Sequence, residues 1–162
     1  MSDLNTAIPR TELLAYIIEN YLGKKVNDSK SAAGNWMEFT LDHIEKGKAE
    51  LSLEVKHDMT NPYLNIHGGM MALVMDETIG WAVVSLGTEN YYTSLNLNVD
   101  FLYAIKQGER LRSKAEVIRA GKKIIHVECT VTDMKGTLLG KASSNLIVTG
   151  MRPSEGDYKV AN

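Results

Sequence analysis

The chain has a single cysteine in 162 residues, so no disulfide framework holds it, and this scarcity fits a reducing compartment. It has no long apolar run. The longest, Met70 to Met75, falls far short of the roughly 20 residues that cross a bilayer, and no membrane span is expected. It also lacks a basic excess: 18 Lys and Arg stand against 20 Asp and Glu, leaving no broad positive field to hold nucleic acid. No basic stretch followed by an apolar one occurs near Met1, so a secretory signal is not expected and the cytoplasm is the expected compartment. Repeats and low-complexity segments are missing as well. What is present, 44% hydrophobic and 23% charged residues, suffices for one globular domain with its own core.

Hydrophobic spacing divides the chain into few elements. Leu13, Leu14, Ile17, Ile18 and Tyr21 recur at helical intervals within Arg10 to Leu22, and Gly23 stops them. Lys24 to Gly34 is small and polar and reads as a loop. Strands are expected over Trp36 to Leu41 and over Lys48 to His57, where Ala49, Leu51, Leu53 and Val55 alternate cleanly with polar residues. Asn61-Pro62 marks an ordered loop. Gly68 to Leu86 is long enough for a helix of about 18 residues and apolar nearly all round, which predicts burial. Four strands follow, Tyr91 to Tyr103, Arg110 to Arg119, Lys123 to Asp133 and Leu138 to Thr149, with no second long helix. Short Gly-bearing turns imply chained hairpins and an antiparallel sheet. The expected class is α+β, a curved sheet around one central helix, divided into an N-terminal helix and loop (1–34), a main domain (35–150) and a tail (151–162). One sheet layer leaves part of such a helix uncovered, and dimerisation is the usual remedy.

Chemistry concentrates at two points of the central helix. Asp76 and Glu77 sit in its middle, where an ionised carboxylate is costly and a functional role is favoured over a solvated gap. Their side chains point about 100° apart, so at least one is expected to face solvent. The helix opens with His67-Gly68-Gly69, whose first amides have no internal partner, and glycine lets a substrate carbonyl approach them. Nine residues separate His67 from Asp76, about 13 Å along a helix and on opposite sides. The two are therefore unrelated, or a site is built from the helix start of one subunit and the helix middle of another.

Asn61, His67-Gly68-Gly69 and Asp76 at these spacings resemble the signature of hotdog-fold acyl-CoA thioesterases of the phenylacetate-degradation (PaaI) type. Thr93 to Leu102 (TSLNLNVDFL), Lys106-Gln107-Gly108-Glu109 and Arg119-Ala120-Gly121-Lys122-Lys123 continue the likeness, which spans Trp36 to Gly150. The resemblance implies a hotdog fold that hydrolyses acyl-CoA without metal or redox cofactor, coenzyme A being part of the substrate. It implies Asp76 as nucleophile or general base, Gly68 N–H at the oxyanion, His67 beside it, Asn61 on the attacking water or the carbonyl, and Ser94 supporting the water. It further implies a homodimer with Asp76 and Ser94 from one subunit and Asn61, His67 and Gly68 from the other, and a dimer of dimers. Gly69 and the turn residues Arg119, Gly121, Lys122 and Lys123 become candidates for coenzyme A, Arg152 a weaker one; without the likeness the turn reads as a solvated hairpin tip.

Two positions depart from the pattern. Leu64 stands where the family often has glycine, and Glu77 offers an alternative carboxylate. Strict alternation also places Ser94 on the polar side with Asn96 and Asn98, unless a bulge intervenes. Cys129 alternates with Ile125, Val127 and Val131 as a core residue, and no histidine pair has metal-binding spacing. A non-catalytic acyl-CoA binder is the competing reading, disfavoured because a binder needs neither Asp76 nor Asn61. A hydratase fits the pattern poorly.

Overall fold

Helical periodicity at Leu13, Ile17 and Tyr21 is realised as α1 (Leu13–Tyr21), entered through a 3-10 turn at Arg10–Glu12. The computed structural model describes residues 10–151, so Arg152 and most of the expected tail lie outside the described residues. The first correction concerns the stretch expected as loop and then strand. Ala32–Met37 forms a short helix, α2, which also crosses the boundary drawn at 34 and 35. Its cap explains it: the Ser31 hydroxyl accepts from Gly34 N–H at 3.0 Å, and Glu38 closes the helix in the left-handed region at φ 55°. Trp36 and Met37 are therefore helical, and the first strand begins later, as β1 (Thr40–Glu45), followed by β2 (Lys48–Glu54).

The apolar helix is α3 (Gly68–Val84). After it come β3 (Tyr92–Ser94), β4 (Asn98–Phe101), β5 (Arg110–Ala120), β6 (Ile124–Asp133) and β7 (Leu138–Val148). All pair antiparallel in one sheet, ordered β1-β2-β5-β6-β7-β3, with β4 also on β7. This is the α+β hotdog arrangement, a curved sheet around one central helix with an additional N-terminal helix. Among the described residues, no helix is long and apolar enough to cross a membrane.

The core lies between α3 and the sheet, where Met71, Val74, Met75 and Ile79 meet Leu51, Leu111, Val127 and Val131. A buried Thr78 inside that contact is satisfied twice, by donating to Val74 O at 2.6 Å and by pairing with Ser113 Oγ at 2.7 Å. Burial of α3 is not complete, contrary to its near-uniform apolar composition. Gly69, Asp76 and Gly80 are exposed, so one face of the helix is left uncovered by this chain.

The run expected as one strand, Tyr91 to Tyr103, is two. Ser94 lies opposite Leu146 and Asn98 opposite Ser143, so four steps along the chain match three along β7. One extra residue is accommodated at 95–97. Asn96 holds this bulge: its Oδ1 accepts from Asn145 N–H at 2.8 Å, and its backbone carbonyl accepts from the Ser144 hydroxyl at 2.8 Å. The bulge reverses the parity of the strand, which decides where Ser94 points.

Candidate active site

The loop before α3 is built around Asn61. Its side-chain oxygen accepts from Tyr63 N–H at 2.9 Å and Asn65 N–H at 3.2 Å, and its own amide donates to Asn65 O at 2.8 Å. Two backbone donors require an oxygen, so the orientation of the side-chain amide is forced and its NH2 has no acceptor among the described residues. Leu64, the departure from the family pattern, adopts φ 59°, the left-handed region that glycine enters freely. The turn thus takes a shape suited to glycine, with leucine bearing the local strain.

His67 caps α3. Its Nδ1 accepts from Gly69 N–H at 2.9 Å, which leaves the ring proton on Nε2 as an outward donor in the neutral form. The Gly69 amide is thereby engaged, whereas the Gly68 amide has no acceptor among the described residues. A Cβ at Gly68 would lie 3.3 Å from the Phe101 ring, so a larger residue crowds that aromatic edge. Asn61 NH2, His67 Nε2–H and Gly68 N–H make three donors on one loop and helix start, all without an acceptor among the described residues. Such a group suits an oxygen that gains negative charge.

The acceptor half lies elsewhere. Asp76 is on the uncovered face of α3, its carboxyl pKa pushed up by burial against the surrounding apolar surface and partly restored by a hydrogen bond from Ser94. Ser94 reaches it because, opposite Leu146 on β7, it lies on the helix side of the sheet. Glu77 points differently. Its Oε2 accepts from the Ser31 hydroxyl at 2.7 Å and its Oε1 from Trp81 Nε1 at 3.1 Å, which ties α3 to the α2 cap. Burial raises the Glu77 pKa most, those two hydrogen bonds oppose the rise, and the Asp76 charge adds to it.

The hairpin residues Arg119, Lys122 and Lys123 are exposed, and no ion pair joins them to a described carboxylate. Gly121 is required there, since a Cβ would stand 2.8 Å from Ile124 O. Lys123 O accepts from Val148 N–H at 2.9 Å, and Tyr92 pairs with Val148, so the basic turn lies one strand from β3 and Ser94. The structure therefore joins Asp76 with Ser94, with the basic turn at the same end of the sheet, and gathers Asn61, His67 and Gly68 separately. Cys129 is buried against Ser113 with its thiol pushed up to about 11. The bond from Ser31 to Glu77 escaped sequence reasoning, because nothing in the chain spacing brings residue 31 to residue 77, whereas Trp81 stands four residues after Glu77 on one helix.

A family model described as the thioesterase superfamily matches residues 64–139. The chain is 30% identical to the protein named "Putative esterase" of Sulfurisphaera tokodaii over 78% of its own length and 93% of that relative's. It is 33% identical to the 1,4-dihydroxy-2-naphthoyl-CoA hydrolase of Listeria monocytogenes, over 59% of this chain and 78% of that one. In fold it is similar to the E. coli PaaI protein from the phenylacetic acid degradation operon, with a TM-score of 0.73 at 16% identity over 90% of this chain and 97% of the other.

Proposed function

The chain belongs to the hotdog-fold thioesterase superfamily, and on that footing we propose that it hydrolyses acyl-CoA thioesters to a carboxylic acid and free coenzyme A. The observation that carries this reading is the separation of the site into complementary halves. One half holds three donors without a partner among the described residues, Asn61 NH2, His67 Nε2–H and Gly68 N–H, and the other a carboxylate, Asp76, supported by Ser94. About 13 Å of helix keeps them apart in one chain. A two-fold partner with its central helix antiparallel brings the donors of one subunit to the carboxylate of the other, and two such dimers associate further.

In that composite site the thioester carbonyl oxygen lies on Gly68 N–H, with His67 and Asn61 as further donors. Asp76 attacks the carbonyl carbon directly, or takes a proton from a water that does. The C–S bond then breaks and the thiolate of coenzyme A leaves and is protonated; on the direct route water hydrolyses the resulting acyl–Asp76 anhydride, which releases the acid and restores the carboxylate. The chemistry requires no metal or redox cofactor. Arg119, Lys122 and Lys123, with Gly121 shaping their turn, meet the phosphates of coenzyme A.

Thiol release from a panel of aryl and aliphatic acyl-CoAs tests the reading. Asp76→Asn is expected to retain the fold and lower kcat by roughly 10² to 10⁴. Ligand binding without turnover anywhere on the panel would replace the hydrolase with a binding protein. A single turnover in ¹⁸O-water tests the covalent route: label in the Asp76 carboxylate shows an anhydride opened at that carboxyl, whereas label in the released acid alone fits attack by water on either the thioester or the anhydride. Replacing Lys122 and Lys123 together by alanine is expected to raise KM for CoA esters more than for thioesters lacking the nucleotide. Equal effects on both would remove the phosphate contact.

A further inference from the structure

A cavity of about 370 Å³ lies between α1, residues 28–31 and the side of α3 that carries Glu77, Gly80, Trp81 and Val84, a volume at the small end of ordinary ligand pockets. Its walls are largely apolar. Tyr16, Ile17 and Tyr21 come from α1, and Gly80, Trp81 and Val84 from α3. The wall is built rather than incidental. Tyr21 and Phe39 both meet the Trp81 ring edge to face, at centroid distances of 5.5 and 5.9 Å, and Glu77 locks Ser31 against α3 at the mouth.

Position and chemistry identify its occupant. Gly80 is one helical turn beyond Asp76 on the same exposed face, and Tyr91, which also lines the cavity, is three residues before Ser94. Both elements that carry the carboxylate–hydroxyl pair therefore continue into the cavity wall. A Cβ built on Gly80 meets nothing within 4 Å, so a larger side chain has room at this point of the wall. The charged residues at its edge, Asp28, Lys30 and Glu77, leave no positive excess, so the phosphates of coenzyme A are unsuited to this largely apolar space. The uncharged end of the thioester is suited to it.

Resting on the hydrolase reading above, we infer that this cavity takes the acyl group and that α1 sets its size, favouring a medium aliphatic chain or a single aromatic ring over acetyl. Tyr16, Ile17, Gly80 and Val84 are its specificity-determining residues.

The test compares kcat/KM for acetyl-, octanoyl- and benzoyl-CoA in wild type and in Gly80→Leu, which fills the cavity. The wild type is expected to favour the larger esters, and Gly80→Leu to lower the octanoyl-to-acetyl and benzoyl-to-acetyl ratios at least tenfold. Val84→Phe, which fills the cavity one turn further on, is expected to do the same if Gly80→Leu folds poorly. A second readout does not depend on turnover. In a Trp36→Phe background Trp81 is the remaining indole, and octanoyl-CoA should change its emission, coenzyme A alone should not, and Gly80→Leu should abolish the response. Loss of turnover on every ester with that response intact would retain the cavity and remove the hydrolase. An equal loss for acetyl and octanoyl in Gly80→Leu, or an equal response to coenzyme A alone, would overturn the cavity while leaving hydrolysis in place.

Discussion

Asp76 and Glu77 are consecutive, yet a rotation of about 100° along α3 gives them different work. Glu77 turns toward the N-terminal segment and is held by Ser31 and Trp81, whereas Asp76 turns to the open face and meets Ser94. Burial raises the pKa of both. An acid whose folded pKa exceeds its unfolded one adds stability that is complete below the unfolded pKa and lost as pH rises through the folded one. Both carboxylates therefore weaken the fold at neutral pH. Asp76→Asn is expected to raise Tm at pH 7, with the gain over wild type vanishing by about pH 4, where model carboxyls protonate. Calorimetry at the two pH values checks this. The same shift predicts that kcat/KM climbs with pH through an apparent pKa above the ordinary carboxylate range. Ser94→Ala removes the hydrogen bond that opposes the rise, so the climb should move to still higher pH. A profile unchanged by Ser94→Ala would mean that Asp76 is not the titrating group. Glu77→Gln is expected to alter kcat mildly, because both oxygens of Glu77 already serve the fold.

The bulge at 95–97 is the element on which the carboxylate half depends. With strict alternation Ser94 faces the same side as Asn98; with one extra residue it faces α3 instead. Deleting Asn96 restores the alternation and removes the acceptor that Asn145 N–H uses. The deletion variant is expected to keep its far-ultraviolet circular dichroism and to lose at least as much kcat as Ser94→Ala. Activity equal to wild type would show that Ser94 reaches Asp76 without the bulge. The opposite end of the site relies on a cap: His67 spends Nδ1 on Gly69, which leaves Gly68 N–H as the open amide.

Across the whole molecule, the two halves of the site stand apart and an apolar surface lies beside one of them. Tyr63 is 83% exposed, Tyr103 67%, Phe101 59% and Leu102 51%, large apolar side chains left open to solvent by this chain. Phe101 closes against Gly68, so this surface adjoins the donor half. If the site is shared between subunits, Asp76→Asn and Gly68→Val chains should each be inactive alone yet complement each other when co-expressed. Random pairing makes half the dimers mixed, each with one intact site, so roughly a quarter of wild-type activity should return. Thiol release by the co-purified mixture measures it, and no recovery would place both halves of the site within one chain.

Periodicity and end signals, which are properties of neighbours along the chain, determined α1, α3, the hairpin strands and the antiparallel sheet, because the core rewards each apolar repeat in the same way. The His67-Gly68-Gly69 start and the buried-helix Asp76 were legible for the same reason, as was their separation by helix geometry. Tertiary structure alone decided the rest. The short helix at 32–37 depends on the Ser31 cap and its bond to Glu77, 46 residues away. The direction of Ser94 depends on a mismatch of register with β7, and Leu64 is held at φ 59° in a loop closed by contacts to Asn61 and Gln107. Which of two adjacent carboxylates is tied into the fold and which stays open rests on groups that only folding brings near. A hydrogen-bond partner distant in sequence leaves no periodic trace, so these choices become visible only when the chain has closed on itself.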